Sequence, residues 1–177
     1  MSLFSSPKKK KLKLRDNLCH DIDIFIQVHY VRERNAERYK FNTLTLKDDP
    51  DRTACKEWYE NHGNPESFSE VALIYLEEKK RDEKTVSEKY QLGNNFFSNL
   101  RNNKTYHPSK GEAVCTCMAF HLNYESARAL LKTAGYAFSN SVKSDLIIRY
   151  FLENHIFNIS DLNYVLEHFE QPKVQEL

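Results

Sequence analysis

Two capping boxes, Ser67-Phe-Ser-Glu70 and Ser109-Lys-Gly-Glu112, bound the most restrictive stretch of this chain. In each, a serine hydroxyl and a glutamate carboxylate satisfy backbone donors at the start of a helix. The helix opened by the first box buries Phe68, Val71, Ala72, Tyr75 and Leu76; the second buries Ala113, Val114, Cys117, Met118 and Leu122. The room between them admits two short helices and a tight turn. Asp82 caps the first short helix, about residues 83–90, although Thr85 with Glu88 offers a rival cap three residues later. Val86 and Tyr90 face inward there, and Ser87 is small where the two helices approach. Gln91-Leu92-Gly93 makes the turn, with Leu92 as its buried anchor and Gly93 in the capping position. The second short helix, about residues 94–102, buries Phe97 and Leu100 and leaves Asn94, Asn95, Ser98, Asn99, Arg101 and Asn102 outside. That order is the plan of a helix-turn-helix.

The rest of the chain extends this plan with more helices. Residues 1–15 are polar, basic and unpatterned, and read as a disordered tail. Leu18, Ile22, Phe25 and Ile26 repeat at helical spacing, which predicts an amphipathic helix over about 17–33. Tyr39 to Leu46 alternates like a strand, but a lone strand has no partner, so an extended segment packed on helices is expected. Asp48 to Asp51 breaks it, Ala54 to Asn61 is a further helical stretch, and Gly63-Asn-Pro65 is the clearest internal boundary. Downstream, Asn123 caps a helix that Gly135 closes as a left-handed residue. Two more helices follow, about 141–154 and about 161–169, stopping before Pro172. The fold class is therefore all-α: a basic tail (1–15), an N-terminal helical extension (16–64), a helix-turn-helix core (65–135) and C-terminal helices packed on it (136–177).

Lys89 to Gly111 contains Lys89, Arg101, Lys104 and Lys110 and not one Asp or Glu, in a chain with 25 acidic residues among 177. Net charge is +1, so attraction for a polyanion must come from such local clustering. The outward set of the second short helix suits duplex DNA. Asn bonds adenine in a bidentate manner, Arg reads guanine or phosphate, and Ser adapts to either. Lys89, Lys104 and Lys110 flank it as phosphate contacts, which position without specifying. Tyr106 and His107 lie beside them. A solvated polar face on an ordinary bundle is the bland competitor, and the acid-free stretch weighs against it.

Other constellations carry less. Cys115 and Cys117 sit two apart, so on a helix their thiols project about 200° from each other and cannot share a zinc ion. Small buried cysteines are the expected role. Cys19 and Cys55 add no disulfide spacing. The seven histidines form no triad or ligand cluster, and four glycines are too few for a phosphate cradle. Neither an enzyme, a metal nor a cofactor is expected. No apolar run reaches the roughly 18 residues of a membrane span, and the chain reads as soluble and cytoplasmic. The large apolar residues over 141–169, such as Ile147, Ile148, Tyr150, Phe151 and Phe169, either close the core or form a homodimer interface.

Leu92 through Leu131, with its Phe97-Ser-x-Leu-Arg101 helix, Pro-Ser cap and Asn-capped helix, resembles the lambda-repressor/Cro-like fold. Residues about 67–172 are most similar to a helix-turn-helix domain at the C-terminus of certain bacterial macro-domain (ADP-ribose-processing) proteins. The matching residues are Ser67-Phe-Ser-Glu70, Phe97-Ser-x-Leu-Arg101, Asn103-Lys-x-Tyr-x-Pro-Ser-Lys110, Ala134-Gly-Tyr136, Ser139-x-Ser141, Asp145-Leu-Ile147, Tyr150-Phe151 and Gln171-Pro172. Residues 1–66 carry no macro domain, so the resemblance implies no ADP-ribose chemistry. It implies a lambda-repressor-like bundle that binds double-stranded DNA as a bacterial or phage transcriptional regulator. Three positions depart from the repressor pattern. Gln91 and Gly93 replace the usual turn and cap residues, and Phe96 falls where a repressor faces DNA. An outward Phe96 would touch a thymine methyl or anchor a protein partner. The second reading is accordingly a protein-interaction module that uses the same scaffold to regulate an effector protein.

Overall fold

A computed structural model describes residues 7–30, 67–103 and 106–177 of the chain. Among these residues it contains eight α-helices, one 3-10 turn and no strand. The helices are α1 (Pro7–His29), α2 (Phe68–Glu78), α3 (Glu83–Tyr90), α4 (Phe96–Asn102), α5 (Lys110–Ala119), α6 (Tyr124–Thr133), α7 (Lys143–Glu153) and α8 (Ile159–His168). The 3-10 turn is Val174–Glu176. The extended segment around Tyr39 to Leu46, the breaker at Asp48 to Asp51, the helical stretch Ala54 to Asn61 and the Gly63 to Pro65 boundary lie outside the described residues.

The helix starts follow the caps. Ser67 and Ser109 each accept from the backbone N–H three residues on, at 3.3 and 3.1 Å, while Glu70 and Glu112 reach back to the capping N–H at 2.8 Å. Asp82 wins over Thr85 as the cap of α3: its carboxylate accepts from both the Thr85 N–H and the Thr85 hydroxyl. Asn123 and Asn158 cap α6 and α8 through their side-chain oxygens. Because an Asp or Asn side chain competes for backbone donors, it is favoured at these ends.

The helix ends share one device. At each of six ends the residue after the last turn is left-handed, and the next N–H bonds back to a carbonyl five residues earlier. Leu92 thus donates to Ser87, Leu122 to Cys117, Tyr136 to Leu131, Ile156 to Phe151, Gln171 to Leu166 and Arg81 to Leu76, at 2.8–3.2 Å. This is the Schellman closure. Glycine supplies the left-handed residue once, as expected, at Gly135 (φ 73°). The other five are Lys80, Gln91, His121, His155 and Glu170, with φ of 48–56°.

Helix α5 is the hub. Ala113 to Ala119 are all buried, and it packs against α3, α6 and the 3-10 turn. A helix apolar on every side belongs at the centre of a bundle. That is why Cys115 and Cys117 are both interior despite opposite faces. Helix α2 packs on α4 and α6, α6 on α7, and α7 on α8. Ile147, Ile148 and Phe151 are 0% exposed, so the apolar faces that also suited a homodimer interface close the core of this chain.

Helix α1 lies across α7 and α8 and begins at Pro7, ten residues before the expected start. The basic run is therefore helical here rather than an unstructured tail. Ile22 and Ile26 bury its inner face, and Phe25 meets Tyr150 edge-on with ring centres 5.3 Å apart. Arg15 extends the docking: it donates to Asp161 at 2.8 Å and to the Ser160 hydroxyl at 3.1 Å, and lies 4.7 Å over the Tyr164 ring. An anchored turn lets good helix formers such as lysine continue the helix outward. Residues 31–33 of the expected helix lie outside the described residues.

Candidate nucleic-acid interface

The α3–turn–α4 unit is built from its buried side. Val86 and Tyr90 hold α3 to the core, Leu92 pins the turn, and Phe96, Phe97 and Leu100 hold α4. Helix α4 begins at Phe96 rather than Asn94. Gly93 does not cap it; its carbonyl accepts from the Phe96 N–H at 2.9 Å in a turn, and Asn95 precedes the helix without a side-chain cap bond. Within this helix residues 96, 97 and 100, one and four positions apart, share one inward stripe. The Phe96 ring is 1% exposed and packs edge-on against Phe97 (5.1 Å) and Tyr106 (6.1 Å). Phe96 is thus a core residue and not the outward protein contact that its position in the motif implied.

What remains outside is polar. Asn94, Asn95, Ser98, Arg101 and Asn102 are exposed, and Asn99 is half-buried rather than fully outward. Asn102 donates to the Ser98 hydroxyl at 3.3 Å, so these two side chains share a surface one turn apart. A groove of about 500 Å³ runs between α3 and α4, lined by Glu83, Lys84, Ser87, Glu88, Asn94, Phe97, Ser98, Arg101 and Asn102. Both of its walls are therefore largely polar.

The acid-free stretch is acid-free in sequence and not in space. Arg101, in the last turn of α4, gives both terminal guanidinium nitrogens to Glu83, in the first turn of α3: Nη1 to Oε2 at 3.0 Å, and Nη2 to Oε1. The Arg101 hydrogen bonds hold the Glu83 carboxyl below the usual glutamate range, and Glu83 in turn raises the guanidinium. Lys110 points inward. Its Nζ meets Asp145 Oδ1 at 2.5 Å, and Asp145, 1% exposed, also accepts from the Ser139 N–H at 2.9 Å. Lys110 therefore neutralises a buried carboxylate, and its expected role as a phosphate contact is corrected. A buried charge without its partner is costly, so this lysine is committed. Lys89 is exposed, with its ammonium 5.3 Å from the Tyr90 ring centre. Lys104 lies outside the described residues.

Sequence reasoning missed Glu83, Glu88 and Asp145. Glu83 and Arg101 are 18 residues apart and Lys110 and Asp145 are 35 apart, so no local spacing rule links either pair. The short inter-helix turn was the one available signal for the first pair, since it forces neighbouring helices to share a surface.

The remaining reactive groups are enclosed. Burial pushes the Cys115 thiol up to about 12 and raises Cys117 as well, so neither is a thiolate at neutral pH. His121 sits at the end of α5, stacked on Phe157 at 4.4 Å and 3.3 Å from the Tyr90 hydroxyl. Desolvation, then the charges of Arg81, Lys89 and Lys79, lower its pKa. No group of three His, Cys, Asp or Glu side chains able to hold a metal ion occurs among the described residues. None of the described helices is long and apolar enough to cross a membrane. Comparison with family models, curated proteins and solved structures returned no match for this chain.

Proposed function

We propose that this chain binds double-stranded DNA in a sequence-specific manner through α3, its turn and α4, and acts as a transcriptional regulator. One observation carries the reading: the apolar side chains of α4 all turn inward, leaving an outward row of Asn94, Asn95, Ser98, Arg101 and Asn102. Amide, hydroxyl and guanidinium groups on a short, firmly seated helix are what base edges in a major groove require. The resemblance read from the sequence of residues 67–172 to a helix-turn-helix domain points the same way. The competing idea of a protein-interaction module drew on an outward Phe96, a net charge near zero and the extra C-terminal helices, and with the Phe96 ring in the core it loses the first of these supports.

The test is a selection from randomised duplexes followed by titration of the enriched sequence at several salt concentrations. Wild-type protein is expected to bind with an affinity that falls as salt rises. Replacing Asn94, Ser98 and Asn102 together by alanine should remove the sequence preference, at about 1–3 kcal/mol for each base pair no longer read. Absence of salt-sensitive affinity for any duplex would overturn the proposal.

A further inference from the structure

The duplex-binding reading leaves a charge problem, because the one cation on the outward face of α4 is already paired. Glu83 occupies Nη1 and Nη2 of Arg101 together. Those two nitrogens form the fork that spans guanine O6 and N7, or two oxygens of one phosphate. With this end-on fork filled, Nε–H and one N–H on each Nη remain, and they point to the sides of the guanidinium rather than off its tip. The pair sits at the surface, with side-chain exposures of 46% for Arg101 and 39% for Glu83. At that exposure water screens the attraction, and such pairs contribute little. A phosphate or guanine edge can therefore take the fork from Glu83. Glu83 also lines the groove beside Lys84, Asn94 and Ser98, where a released carboxylate faces any bound backbone.

We infer that Glu83 is an affinity-setting residue of this face: it latches Arg101, and DNA binding proceeds by exchange of the Arg101 fork from the Glu83 carboxylate to the nucleic acid. The inference rests on the duplex-binding reading above. Its consequence is a protein that binds weakly to arbitrary backbone and more tightly where a site offers Arg101 a bidentate partner good enough to displace Glu83. The glutamate thereby lowers affinity for every duplex that must open the latch, by the same cost at each.

The experiment is fluorescence anisotropy on a labelled random-sequence duplex over a series of salt concentrations. The proteins compared are wild type, Glu83→Gln, Arg101→Ala, the double variant and Glu88→Gln. Glu83→Gln keeps the size of the side chain, and a thermal melt verifies that it folds. It should tighten binding by roughly two- to fivefold, the scale of one exposed ion pair. It should also steepen the salt dependence by about one phosphate contact. On the Arg101→Ala background the steepening should vanish, since no fork is left to release. Glu88→Gln removes the same charge from the same groove and should leave the slope unchanged. An unchanged slope in Glu83→Gln, or an equal steepening with Arg101 absent or with Glu88 replaced, overturns the latch while duplex binding stands. If neither wild type nor Glu83→Gln binds DNA in a salt-dependent way, the duplex reading itself falls, and the latch with it.

Discussion

Gly111 occupies the first turn of α5, where the C-terminal turn presses its backbone against the helix. An added Cβ at this position would stand 2.1 Å from the Val174 carbonyl oxygen and 3.1 Å from its carbon. Both atoms are main chain and cannot rotate away. The turn is fixed from its other side, where Val174 N–H donates to Asn163 at 2.9 Å and Asn163 donates to Gln175 at 3.0 Å. Gly111→Ala must therefore lift the turn off α5 and expose Val174, which is 0% exposed. The expected cost is about 1–3 kcal/mol, the usual range for overpacking, read by urea or thermal denaturation. An unchanged midpoint would mean that the turn is not held as described. Lys110, the preceding residue, teaches a related lesson. A lysine between polar neighbours reads as solvent-facing, yet this one meets Asp145, a partner that only the tertiary fold supplies.

The helices were most legible where signals are local. A capping box is four consecutive residues, and both boxes, the Asp82 cap, the Asn123 cap and Gly135 appear where the chain predicts them. The other helix ends were hidden, because left-handed closure was sought at glycine and five of the six sites carry other residues. Each such residue carries about 1–2 kcal/mol of left-handed strain, offset in a glycine variant by about 0.5–1 kcal/mol of added chain entropy. Lys80→Gly and Glu170→Gly, both at exposed ends, should therefore each stabilise the fold by about 0.5–1 kcal/mol. Ala129→Gly, on the exposed side of α6, should destabilise it by about 1 kcal/mol. Denaturation of the three variants side by side checks the sign, and a loss of stability at all three would refute the closure argument. The register of α4 was hidden for a different reason. Asn94, Asn95, Phe96 and Phe97 permit two starts, and burial of the second aromatic ring chooses the later one. A large ring left in water forgoes about 1.5–3 kcal/mol, more than any difference between the two caps.

For the molecule as a whole, the division between scaffold and working face is clear. Helix α5 forms the centre, α1 covers α7 and α8, and the C-terminal turn closes the bottom of α5. The apolar stripes of 141–169 are used up within the chain, which leaves the α3–α4 face as a surface that is polar, grooved and backed by a rigid core. A net charge of +1 gives no long-range pull toward DNA, so binding must come from this local face. The proposal therefore names where contact occurs as well as what is contacted. The direct measurement is an amide ¹H–¹⁵N spectrum of the whole protein recorded during titration with a duplex at low salt. The account predicts that the amides of Asn94, Asn95, Ser98, Arg101 and Asn102 shift first, with Lys84 and Ser87 across the groove, while Leu162, Val165 and the rest of α8 stay still. A spectrum that does not change, or one whose shifts fall on α1 and α8 and spare α4, would contradict it.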